Sequence, residues 1–197
     1  MAALKLFLFA VSLSICNAAG KQLCRARSIA RRLGQGPDAW KIIEQENPTY
    51  HLMFHSDGTL ENMYKCLCTT KSSRDLYDKW KRTVTFHSSP NSSVTYHGTY
   101  SVLSTKTDGF YVYDNALNAT YYVQKTSPLS FTFDRLFSCN EVIYVEQNRC
   151  ILMHSQELGY QVWTRTEYLK ANKKIPYVCV FFYEGCAGTE KKWVYDW

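Results

Sequence analysis

The chain has little of what breaks up or disorders a polypeptide, and none of the short motifs that mark an enzyme. Its 197 residues include only 9 glycines and 5 prolines, too few for a collagenous or low-complexity sequence. No apolar run approaches the roughly 20 residues a helix needs to cross a bilayer. The two strongest runs are Leu6 to Ile15, and Tyr177 to Tyr183 interrupted by Cys179. Acidic residues number 17 against 23 basic ones, a net charge of +6. That is mildly basic and short of a nucleic-acid-binding balance, and no reader motif accompanies it. A Gly-x-Ser-x-Gly elbow, a phosphate loop, a His-Glu-x-x-His pair and a dinucleotide fingerprint are all missing. Among the five histidines, His51 and His55 stand four apart, but no thiolate pair or carboxylate lies near enough to complete a metal site. These absences exclude a membrane span, a disordered chain and a coiled coil. They also leave an enzyme without a site, and no cofactor or metal is expected.

What the chain does have is aromatic residues, at 15%, with 15 tyrosines, and eight cysteines. Lys5 followed by the ten-residue, mainly apolar stretch Leu6 to Ile15 and the small residues Asn17-Ala18-Ala19-Gly20 reads as a secretory signal peptide over 1–20. Its removal takes Cys16 and leaves Cys24, Cys66, Cys68, Cys139, Cys150, Cys179 and Cys186. That count is odd, so one thiol is free, pairs between chains or has lost its partner. An oxidising compartment favours disulfides over metal. The sequons at Asn91 and Asn118 lie in turn-like stretches and fit a secreted glycoprotein.

The segment 21–37 is basic, with Lys21, Arg25, Arg27, Arg31 and Arg32 and no acid; it reads as a solvated arm tethered at Cys24. After the break at Gly34-Gln35-Gly36-Pro37, Asp38 is placed to cap a short helix over 39–46. From Pro48 onward, short segments rich in Tyr, Phe, Val and Thr alternate with turn residues. The pattern predicts strands near 50–55, 64–69, 81–86, 94–103, 109–113, 119–124, 129–133, 141–145, 150–154 and 159–165, two of them merging or proving to be loop. About eight strands at this spacing predict a mainly β fold, an antiparallel sandwich or an up-and-down barrel. Pro176 then suits the start of a C-terminal helix carrying Cys179 and Cys186 two turns apart. No repeat and no linker divides the chain, so 38–197 reads as one domain.

Several marks in order resemble a known family, the tick salivary lipocalins that include the histamine-binding proteins. Asp38-Ala39-Trp40-Lys41 is similar to that family's N-terminal helix motif. Glu141-Val142-Ile143-Tyr144-Val145 before Cys150, and Gly159-Tyr160-Gln161-Val162-Trp163, resemble its last strands. Ile175-Pro176-x-x-Cys179, Cys186-Ala187-Gly188 and Val194-Tyr195-Asp196 resemble its tail. Two positions depart from the family's amine-binding signature: Ile151 follows Cys150 where the signature has Asp, and Gln161 precedes Trp163 where it has Glu.

The resemblance implies an eight-stranded antiparallel lipocalin-type barrel with a short N-terminal helix and a C-terminal helix. It also implies a secreted, monomeric carrier that sequesters a small host mediator. A biogenic amine such as histamine is the first reading; a leukotriene or thromboxane, or a protein of host complement, is the alternative. The implied walls are Trp40, Tyr100, Phe131 and Trp163, with Gln161 beside them. Glu141 is the surviving acid expected to supply counter-charge. The implied disulfides are Cys150–Cys179, Cys24–Cys186, and Cys66 or Cys68 with a cysteine beyond the tail.

Overall fold

The computed structural model describes residues 24–44, 49–57, 68–74, 81–87, 97–127 and 130–195; within 69–103 and 120–136 only the strands and their pairing are described. Two helices come first, α1 (Ala26–Leu33) and α2 (Trp40–Ile43). Eight strands follow: β1 (Tyr50–His55), β2 (Cys68–Arg74), β3 (Lys81–His87), β4 (His97–Thr105), β5 (Ala116–Ser127), β6 (Ser130–Glu146), β7 (Cys150–Ser155) and β8 (Gly159–Arg165). Helices α3 (Thr166–Asn172) and α4 (Tyr177–Ala187) and the two-residue strand β9 (Lys192–Trp193) complete the chain.

The strands form one antiparallel sheet in the order β2-β3-β4-β5-β6-β7-β8-β1-β9, and β1 pairs with β2 as well, Tyr50 opposite Thr69 and His51 opposite Cys68. The two expected segments 129–133 and 141–145 are one long strand, β6, and 109–113 is a loop. Phe110 closes a turn there, its N–H donating to Asp108 Oδ1 at 2.7 Å. Strand β2 is described from Cys68; residues 64–67 of the expected segment lie outside the described residues.

Because side chains alternate across a pleated strand, the sheet carries two apolar clusters. On the face toward α2 lie Tyr50, Leu52, Leu117, Ala119, Val142, Ile151, Met153 and Trp163, with Ala39, Ile42 and Ile43 packed on them. On the face toward α4 lie Met53, Phe54, Ile143, Leu152, Tyr160 and Val162, with Cys179, Tyr183 and Cys186 of α4 and Ala26 of α1. Register shifts in β1 between Leu52 and Phe54, and in β6 between Val142 and Tyr144, each insert a residue and reset the alternation. The first returns His55 to the α2 face, opposite Gln161; the second returns Val145 to it, opposite Ile151.

The turn from β7 to β8 requires glycine at 159. Its φ is +62°, and a Cβ there would collide with Ser56 Oγ and the Asp57 carbonyl, so no other residue type fits.

The basic segment is not a solvated arm. Residues 26–33 form α1, which ends on Gly34 in the left-handed conformation (φ 71°), and α1 packs on β6. Ala26 and Ala30, one turn apart, are small enough to bring the helix against the sheet. Its arginines turn the other way, and the guanidiniums of Arg27 and Arg31 lie 4.2 and 5.2 Å from the Phe110 ring. Helix α2 is shorter than the expected 39–46, with Ala39 at its N-cap; Asp38 Oδ1 accepts from Trp40 N at 3.1 Å.

Disulfides join Cys24 to Cys186 and Cys150 to Cys179, so α4 is tied both to the N-terminal segment and to β7. Cys139 is disulfide-bonded too, although the sequence reading assigned it no partner. Cys68 stands in β2 opposite His51 and His87. Cys66, Asn91 and the signal-like segment 1–20 lie outside the described residues. Asn118 is not in a turn: β5 begins at Ala116 and places Asn118 opposite Leu103 and Cys139.

Candidate binding site

On the α2 face a set of buried polar side chains touch one another. Cross-strand pairing brings Gln161 of β8 beside Met153 of β7 and His55 of β1, while Asn140 and Ser138 of β6 oppose Leu117 and Ala119 of β5. Trp163 Nε1–H donates to Gln161 Oε1 at 3.1 Å. The Gln161 amide in turn donates to Asn140 Oδ1 at 3.3 Å and Ser155 Oγ at 3.0 Å. Asn140 Nδ2 donates to Ser138 Oγ and to the Leu117 carbonyl, both at 3.3 Å. The Ser138 hydroxyl donates to Glu157 Oε2 at 2.6 Å.

Gln161 and Ser155 are 1% exposed and Ser138 and Asn140 only 3% and 6%. An unpartnered amide at such depth costs about 1–3 kcal/mol. The chain of donors removes that cost, and each bond polarises the next.

A second polar group holds the end of the face where α2 sits. Asn115, wholly buried, accepts from Thr107 N and donates to Thr107 Oγ1, both at 2.8 Å. This braces the loop after β4. Ser104 Oγ donates to Asp114 Oδ2, and the Ala39 N–H donates to the Asp114 carbonyl at 2.7 Å, which fastens α2 to that loop.

The expected site residues divide. Trp163 and Gln161 lie together on the α2 face, and Trp40 is half-buried against the same cluster. Ile151, the other departure from the resembled signature, is on this face opposite Trp163. Tyr100 pairs with Val84 and Phe131 with Thr126; their side chains lie outside the described residues.

Glu141 must be corrected. It alternates with Asn140 and Val142 and stands opposite Ala116 and His154, on the face covered by α1 and α4. There its charge, after burial, helps push the Tyr111 hydroxyl up to about 12. It therefore does not join the Gln161 chain. The residues that do, Asn140, Ser138, Ser155 and Glu157, were not singled out from sequence. Alternation with Val142 could have found the first two.

Three histidines are held neutral. Burial is the main cause for His51, His55 and His154, each pushed below its ordinary 6.5. The His55 ring donates from Nδ1 to the Ser56 carbonyl at 2.6 Å. His154 packs 4.6 Å from the Tyr160 ring, and its Nδ1 is buried without a hydrogen-bond partner. No group of three metal-ligating side chains is present among the described residues.

A mostly β scaffold whose apolar face keeps one satisfied polar chain between strands and a short covering helix is organised as a binding protein. The chain belongs to the tick histamine binding protein family, whose model matches residues 29–197. A search of curated proteins found no match. Among solved structures it is similar to the crystal structure of the AM182 serotonin complex, at 15% identity over 81% of this chain and 90% of that chain, with a TM-score of 0.53. At that identity the likeness concerns the fold. Among the described residues no helix is long and apolar enough to cross a membrane.

Proposed function

We propose that the protein is a secreted carrier that binds a biogenic amine and so suppresses host inflammatory and haemostatic defence. The observation that carries this reading is the buried chain Trp163–Gln161–Asn140–Ser138 on the α2 face, in a chain of this family. It offers directed polar contacts inside an apolar lining, as small-ligand sites do. The sheet reads as an eight-stranded lipocalin-type barrel, β1 to β8, with β9 as an appendage. The pairing of β1 with both β8 and β2 supports closure, which would make the α2 face the interior. The domain then begins near Cys24 rather than at Asp38, since α1 packs on β6. The serotonin held by the structural neighbour AM182 makes serotonin, beside histamine, the amine to test.

Native mass spectrometry and calorimetry on the full oxidised chain, titrated with histamine, serotonin and a leukotriene, test the reading. Saturable uptake of an amine is expected. Uptake of the leukotriene alone would transfer the function to fatty-acid mediators. An empty protein that captures a complement component would make it a protein-directed inhibitor.

A further inference from the structure

One donor at each link of the polar chain leads toward Glu157. Trp163 donates to Gln161, Gln161 to Asn140, Asn140 to Ser138 and Ser138 to Glu157. The chain ends on a carboxylate, the one group in it that accepts without donating when ionised. A hydrogen bond to an ionised carboxylate is stronger than a neutral one, and the four upstream groups lead in sequence to Glu157. Asp38, Asp57, Glu146, Glu167 and Glu184 each have a lysine or arginine within 4.0 Å, whereas among the described residues Glu157 forms no such pair. It is half-buried in the turn between β7 and β8. Its neighbour Leu158 belongs to the apolar cluster of the α2 face, and the Leu158 N–H is fixed on Ser155 Oγ at 3.2 Å. Asp114, the other carboxylate bonded to a serine of this face, lies in the loop between β4 and β5, where its carbonyl accepts from the Ala39 N–H at the start of α2. Glu157 stands where the strands turn, at the opposite end of β7 and β8.

We propose that Glu157 is the charge anchor of the site, taking the protonated amine of the ligand, while Gln161 and Trp163 meet its ring. The assignment rests on the amine-carrier reading. It places the counter-charge at neither of the signature positions, Ile151 and Gln161, nor at Glu141. A cation entering an apolar site needs such a partner, and Ser138 keeps the carboxylate turned toward the α2 face.

Serotonin and 5-hydroxytryptophol, which has a hydroxyl in place of the ammonium, separate charge from shape. Both are titrated by calorimetry into the full oxidised wild type, Glu157→Gln and Glu141→Gln. Glu157→Gln should weaken serotonin about 30-fold or more, the usual cost of deleting one partner of a buried charge pair. Its thermal midpoint and the affinity of the alcohol should match wild type, and Glu141→Gln should bind both compounds as wild type does. Equal serotonin affinity in Glu157→Gln and wild type would overturn the assignment and leave the amine reading intact. Parallel loss of serotonin and alcohol would also overturn it, since that marks a structural role. Wild type that binds no amine would remove the amine reading itself.

Discussion

Gln161 has its carbonyl turned to the Trp163 indole and its amide hydrogens to Asn140 and Ser155, so both ends of the side chain are committed. Methionine has nearly the same length and can make none of these bonds. Gln161→Met should destabilise the fold by about 1–3 kcal/mol, because it strands the buried Trp163 donor and Asn140 acceptor. Urea unfolding followed by tryptophan fluorescence measures it, and an unchanged midpoint would mean the chain contributes nothing to stability. Trp163 and Gln161 were singled out through resemblance, and the alternation of their strand sets both on the α2 face. Glu141 was misplaced, since its distance from Cys150 crosses a turn and a register shift, and either one reverses the face.

Among the elements, α1 is one the sequence concealed, as it did α3. The arginines of α1 read as solvent-seeking, and two alanines give no apolar signal, yet small size is what lets a helix lie close on a strand. Tyr160 reinforces the contact from the sheet: its hydroxyl accepts from Cys24 N at 3.1 Å and donates to the Cys24 carbonyl at 3.4 Å. The Cys24–Cys186 bridge closes the longest loop in the chain, 162 residues in sequence. The double variant Cys24→Ser, Cys186→Ser should lose about 2–5 kcal/mol of stability. It should also be cut faster by trypsin after Arg27 and Arg31, because α1 then keeps its packing on β6 and the Tyr160 hydrogen bonds but loses its covalent tie. Calorimetry and timed digestion check both. Cleavage as slow as in wild type would show that packing and these hydrogen bonds hold the helix alone. The strands were more legible than α1. Of the ten expected, β7 and β8 fall almost where periodicity places them, with β8 at 159–165 as observed. The segments on either side of Ser138 merged because Phe137–Asn140, polar at Ser138 and Asn140, continues the ladder opposite β5. A buried polar pair looks like a turn in sequence, and only the hydrogen bonds it makes across the sheet reveal a strand.

At the scale of the whole molecule, the two faces of one sheet each bury a histidine, His55 toward α2 and His154 toward α4, and His51 is partly covered beside Tyr195. All three have folded pKa values below 6.5, chiefly through burial. Between those folded values and 6.5 the unfolded chain binds protons that the folded chain refuses. Stability therefore rises with pH in that window, is fully present above it, and falls as the solution is acidified through it. The paired carboxylates contribute lower down: hydrogen bonding to Lys192 holds Asp57 below its ordinary 3.8. The range from pH 7.5 to 5 thus isolates the histidines. The thermal midpoint should drop on acidification across that range and level off once the folded histidines themselves protonate. His154→Phe keeps a ring against Tyr160 and removes both the titration and the unpartnered Nδ1, so it should raise the midpoint at pH 5 more than at pH 7.5. Each unit of pKa depression removed is worth about 1.4 kcal/mol at the acidic end. Calorimetric midpoints at pH 7.5, 6.5 and 5 for wild type and variant test this directly. A variant that loses as much on acidification as wild type would place the acid sensitivity on the other histidines instead.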